Sequence, residues 1–304
     1  MELVENIKKD NFFYLQNSKD YEIRLKEGIT EFVDQFGKNF RDMTYVQLAI
    51  ALRKPNCLKG MLETSYFKCQ IPFQDIITPK TSNTKGNIIS LSIEFGSENS
   101  QYDFVDTNCL KVIIDFGNNA KEKNNENFNI DIENINGETP LIRAINYQNT
   151  EACEILIQNG ANILHKSENN QFLMSPLRYL FLKAANISIL QKIISRDLLT
   201  KDTYDKCLKE IESEDFRLFI QNTRNETSKE FIKYLLENEQ ERKRQIEAAN
   251  AAKSQASEPN TSEAHPKQKK KECKGCHKVL QSDDTHEFNG ELYCEECYDK
   301  LIGI

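Results

Sequence analysis

Four cysteines near the C-terminus have the residue type and spacing for metal chemistry. Cys273 and Cys276 form one Cys-x-x-Cys pair, Cys294 and Cys297 a second, and seventeen residues separate the two. Each Cys-x-x-Cys turn presents two thiolates to one point, and two such turns complete the tetrahedron of a structural Zn2+ site. Four protein sulfurs leave no open position for water, so the expected cofactor is one structural Zn2+ rather than a catalytic one. His277 and His286 lie close by and are the alternative ligands to a cysteine. Between the pairs, Asn289-Gly290 suits the tight two-residue turn of a β-hairpin, which would bring the two pairs together. Residues 273–304 are too few to bury a sufficient core, so metal binding and folding should be one event.

The Cys273-x-x-Cys276 turn, Lys278-Val279-Leu280, Phe288, Gly290, Tyr293-Cys294 and Cys297-Tyr298 together resemble one zinc-binding half of a LIM domain. The resemblance implies a protein-binding finger. It is to a half module, because no cysteine upstream of Cys273 lies nearer than Cys207. The spacing is also similar to a GATA-type DNA-binding finger, but residues 273–304 carry three lysines against seven carboxylates, a net −4 that a duplex would repel. A RING needs eight ligands for two zincs, so direct ubiquitin ligation is not expected.

Cys57, Cys69, Cys109, Cys153 and Cys207 are scattered singly through the apolar part of the chain, where a free thiol behaves as a small hydrophobe. A cysteine hydrolase would need a His and a polar orienter beside one of them. The only His before residue 254 is His165, placed in the loop after a helix pair. No enzyme motif is found. Dispersed single thiols plus one paired set fit a reducing compartment with a metal site better than a disulfide framework.

The elements that carry the rest of the chain are read most clearly at residues 136–166. Thr139 can cap a helix and Pro140 fits its first position, while Leu141, Ala144 and Ile145 fall on one face. Asn149 and Thr150 supply a turn and a second cap. A second helix then turns Ala152, Ile155 and Leu156 inward and stops at Gly160. Such a unit has too little apolar surface to fold alone and needs copies beside it. Gly137, Thr139, Pro140, Leu141, Ala144, Leu156, Gly160, Ala161 and Asn162 resemble the ankyrin repeat, with Ile142 where that family usually has a His bonding between adjacent turns. The resemblance implies a stack of helix pairs with a concave interaction face.

Looser copies are read at residues 44–62, 86–117 and 175–194, with polar inserts at 96–106 and 118–129 and a divergent helical pair at 202–219. The predicted fold is therefore all-α, an ankyrin-like helical repeat solenoid with a small β-hairpin zinc finger at the C-terminus. Its expected parts are a helical cap over 1–40, the solenoid with closing helices over 41–226, a long helix over 227–253, a flexible linker over 254–271 and the LIM-like finger over 272–304. In the long helix Phe231, Ile232, Tyr234 and Leu235 should dock, and the charged run from Glu239 should be solvated.

With 38% hydrophobic and 29% charged residues, the chain can bury a real core. A net charge of −7 argues against general nucleic-acid binding. No apolar run approaches the ~20 residues of a membrane span, and the first residues lack a secretory pattern. The expectation is a monomeric, cytoplasmic, non-catalytic adaptor that holds one protein partner on the repeats and another through the finger. Arg143, Tyr147, Arg178 and Tyr179, on the first helices of two adjacent repeats, are its candidate partner-binding residues, because Arg and Tyr dominate interface energetics. The alternatives are a recruiting subunit for an enzyme such as a ubiquitin ligase, and a nuclear regulator using the finger with the lysines of 267–271. Richness in Asn, Lys and Ile suits an AT-rich genome, and delivery into a host cell would follow from an intracellular bacterial source.

Overall fold

The computed structural model describes residues 2–15, 28–33, 39–79, 87–97, 105–134, 136–167 and 174–256, and in the C-terminal part 273–276, 286–288, 291–294, 297 and 300. Backbone packing divides the chain into two units, residues 1–242 and 243–304. The first is built from helix pairs, each pair an inner and an outer helix, in an all-α ankyrin-like repeat fold.

The inner helices are α3 (Tyr45–Ala51), α6 (Ile88–Gly96), α8 (Pro140–Asn146) and α10 (Pro176–Lys183). Each begins at a side chain that accepts from the backbone N–H three residues on: Thr44, Asn87, Thr139 and Ser175. A cap of this kind is worth about 1 kcal/mol and fixes where each helix starts. The outer helices are α4 (Pro55–Glu63), α7 (Asn108–Asn124), α9 (Thr150–Gln158) and α11 (Ile187–Ile193), and a short α5 (Phe73–Ile77) lies between the first pair and the second. Inner helices pack against one another in sequence, and Ala49 and Ala144, both fully buried, set their close approach. A single apolar core runs from Ile7 through the stack to Leu235.

Ile142 is buried and makes no polar tether between repeats. The tethers lie elsewhere. At the turns after the inner helices, Arg53 donates through Nε to Phe95 O at 2.6 Å and through Nη2 to Ser97 O at 2.7 Å, and Asn149 Nδ2 donates to Ser97 Oγ. At the opposite end Asn87 Nδ2 donates to Ile132 O, and Leu177 N to Ile163 O. Arg53 and Gln148, 95 residues apart, both adopt positive φ, so the same turn is used in both repeats.

Two segments before the closing helices differ from expectation. In residues 1–40, helices α1 (Glu2–Lys8) and α2 (Phe12–Leu15) form, but β1 (Gly28–Val33) pairs antiparallel with β2 (Asn39–Thr44). Ile29, Thr30, Phe32 and Val33 are β-branched or aromatic, and that composition favours a strand over a cap helix. The polar insert at 118–129 is half helical, because α7 continues to Asn124. Ile113, Gly117 and Ala120 keep an apolar face turned to the core at i, i+4 and i+7 while the polar residues occupy the other side. Asn125, in the left-handed conformation, ends it.

The closing helices are α12 (Lys201–Glu212), α13 (Glu214–Asn222) and α14 (Glu226–Ala256). Phe231 and Leu235 dock as expected and Ile232 packs in part, but Tyr234 is exposed; Asn225 Nδ2 caps the end of α10 through the carbonyls of Phe181, Leu182 and Ala184. Glu239 departs from the predicted solvated run: it is 6% exposed and accepts from Arg196, Tyr204 and Arg242. The rest of the run is solvated as expected, Gln240 and Glu241 being exposed, Arg242 partly so, and residues 243–251 exposed. The helix reaches Ala256, three residues into the segment expected as linker, and residues 257–272 lie outside the described ones. No helix among the described residues is long and apolar enough to cross a membrane.

Candidate metal centre and interaction surface

Cys273, Cys276, Cys294 and Cys297 meet in the second unit, their sulfurs all within 4.8 Å of one another. Strands β3 (His286–Phe288) and β4 (Glu291–Tyr293) pair antiparallel, His286 opposite Tyr293, and so carry the chain from the first pair back to the second. A tetrahedron with Zn–S bonds of about 2.3 Å has S···S edges of about 3.8 Å. Cys276 Sγ and Cys294 Sγ lie 3.7 Å apart. The donor set and its spacing therefore suit a metal ion such as zinc.

The backbone prepares the sulfurs for that role. Cys294 N–H donates to Cys273 Sγ at 3.3 Å. Burial pushes the Cys273 thiol up, but N–H groups of Cys294, Cys276 and Gly275 and the Cys276 side chain outweigh it and pull the thiol down to about 6. The Cys297 thiol, hydrogen-bonded to Cys294, is pushed up to about 12. Thiolates this close repel unless a cation lies between them, so full ionisation of the set calls for a bound metal. Gly275, unnoticed among the sequence candidates, is required by the fold: a Cβ there would lie 2.9 Å from Cys297 Sγ. Its signal was the glycine inside the first Cys-x-x-Cys turn. His286 lies on β3, and His277 falls outside the described residues.

The other thiols are core residues. Cys57, Cys69, Cys109, Cys153 and Cys207 are all buried. Burial pushes Cys57, Cys109, Cys153 and Cys207 up to about 12, with Asp10 adding to the rise at Cys57, so none of the four is a thiolate at neutral pH. His165 sits in the loop after α9, as predicted, with Nε2 2.7 Å from Glu133 Oε1 of the preceding loop.

On the inner helices, Arg143 and Tyr147 stack, the guanidinium 5.3 Å from the ring centroid, and Arg143 is also paired with Glu94 and Glu138. One repeat on, Tyr179 donates to Asn146 Oδ1 and Lys183 lies 5.7 Å from the Tyr179 ring. These four residues bring two tyrosines and two cations onto adjacent inner helices, and Tyr147 is exposed. Arg178 is placed differently. Its guanidinium bonds Glu210 and Asp215 and packs over Phe216 and Phe219, joining α10 to the closing helices.

A family model described as Ankyrin repeat matches residues 136–168, the segment of α8, α9 and their flanking loops. No curated protein matches the chain. Ankyrin repeats are protein-interaction modules, and the inner-helix residues above lie in and beside the matched one.

Proposed function

We propose that this chain is a non-catalytic adaptor, with a repeat surface around Arg143, Tyr147 and Tyr179 that binds one protein and a half-LIM-like finger, folded on one structural Zn2+ held by Cys273, Cys276, Cys294 and Cys297, that binds a second. The observation that carries the proposal is the presence, in one chain, of an ankyrin repeat with an exposed Tyr147 and of a separate unit whose four sulfurs converge. Arg178, engaged with Glu210 and Asp215, contributes to that surface by bracing α10 rather than through a free guanidinium. Two weak sites on one chain gain affinity through effective concentration.

Proximity labelling in cells, with the full chain, a Tyr147→Ala variant and a Cys294→Ser variant, tests the division of labour. Two separate sets of neighbours, one lost with each variant, are the expected result. A single set lost equally from both would sink the adaptor reading.

A further inference from the structure

The outer face of the stack carries a cavity that neither the repeat surface nor the finger uses. Beyond Glu63, α4 continues as a π-helical turn over Thr64–Lys68, and α7 beside it runs on to Asn124. These two extensions leave a cavity of about 390 Å3 between the helices. Its floor is aromatic. Tyr66 meets Phe116 edge to face at 6.0 Å, and Tyr66 is pinned by donating to Glu126 at 2.5 Å. Ala120 keeps the wall on the α7 side low. Short π-helical turns are rare and frequently mark functional sites.

At the rim stands Phe67, 63% exposed. A large apolar ring and an apolar hole thus lie side by side on one face. That is the requirement for an isologous contact, in which a two-fold axis brings each copy's knob to the other's hole. The space is sufficient, since a cavity of about 150 Å3 already takes a benzene ring. The rim charges agree. Lys59, Glu63, Asp115 and Lys123 line the cavity, two of each sign, and none of them makes an ion pair among the described residues. A net-neutral patch of mixed charges does not repel its own copy, offers nothing to polyanionic nucleic acid, and can pair cation with carboxylate across the axis.

We infer that this face is a homodimer contact in which Phe67 of each copy enters the cavity beside the π-helical turn of the other. The dimer replaces the monomer expected from sequence and presents each repeat surface and each finger twice.

Sedimentation velocity on the full-length protein over about 1–200 µM tests this, with two variants that act on opposite halves of the contact. Phe67→Asp removes the knob at an exposed site. Asn119→Trp, also at an exposed lining position, fills the hole and leaves Phe67 in place. The expected result is a concentration-dependent monomer–dimer equilibrium, weakened at least tenfold by either variant, with circular dichroism unchanged and, at concentrations where the protein is monomeric, an unchanged melting temperature. A protein that stays monomeric at the highest concentration overturns the inference. So does self-association that either variant leaves intact.

Discussion

A methyl group on Gly275 would lie 2.9 Å from Cys297 Sγ and 3.0 Å from its Cβ, so Gly275→Ala must push one ligand of the four-sulfur set out of place. Metal affinity should fall about ten- to a hundredfold, the range produced by changes next to a ligand shell. Competition against a chromophoric chelator measures it, and unchanged affinity would remove Gly275 from the site. Glu239 is a second residue whose effect can be stated with its sign. Burial raises its carboxyl pKa, but donors from Arg196, Arg242 and Tyr204 outweigh that and hold it below the usual carboxylate range. Its contribution is therefore present above the usual carboxylate pKa and disappears as pH falls through the lowered folded value. Glu239→Gln should cost about 1–3 kcal/mol near neutral pH, the worth of hydrogen bonds to a charged group, discounted because both arginines are partly exposed. Urea titrations at pH 7 and pH 3 should show that gap closing in acid. A gap of equal size at both would mean that packing, not charge, holds the helix.

The elements were legible where a local signal fixes them. Thr139-Pro140-Leu141 and Ser175-Pro176-Leu177 announce helix starts within four residues; the cap at Thr139 forms as read, and Ser175 caps its helix in the same way. The four-cysteine cluster was legible for the same reason, each Cys-x-x-Cys being a local turn. What escaped depends on distant partners. Arg53 reaches Ser97 across 44 positions and Glu239 reaches Arg196 across 43, and nothing in either neighbourhood announces the other end. The extension of α7 rests on Phe128, which packs on Gly117 from beyond the helix end. Helix α4 belongs to this second kind. Lys54, at its N-cap position, makes no side-chain cap, and the role is taken by Asp10, which accepts from Cys57 N at 2.9 Å and from Asn56 Nδ2 at 2.9 Å. Phe12 then lies against Gly60, leaving no room for a Cβ there. The N-terminal segment thus completes the first repeat. Asp10→Ala should destabilise the protein by about 1 kcal/mol, as loss of a helix cap does. Equilibrium urea unfolding would read it as a lower midpoint at unchanged slope. A midpoint equal to that of the unaltered protein would show that α1 and α2 rest on the stack without supporting it.

At the scale of the whole molecule, the two units draw stability from different sources. The first holds a continuous apolar core from Ile7 to Leu235, with large side chains such as Phe181, Phe216 and Phe231 fully buried. Cooperative helix pairs of this kind stand on nearest-neighbour packing and need no metal. Beyond the end of α14, the described residues of the second unit comprise two three-residue strands and four converging cysteines. So small a segment lacks the apolar surface to offset its own chain entropy, and a metal held by the four cysteines would supply the difference. Elemental mass spectrometry should find one zinc per full-length chain and none in a version ending at Ala264. Amide hydrogen exchange on the full chain gives the sharper test. On adding chelator, protection should vanish at residues 273–297 and persist through α8, α9, α10 and α12, because only the second unit binds its fold to the metal. If protection in the repeats falls together with that of the cysteine region, the units are not energetically separate, and the proposed adaptor would lack the independence that two binding functions require. If chelator changes neither region, the four cysteines fold without a metal, and the finger needs another source of stability.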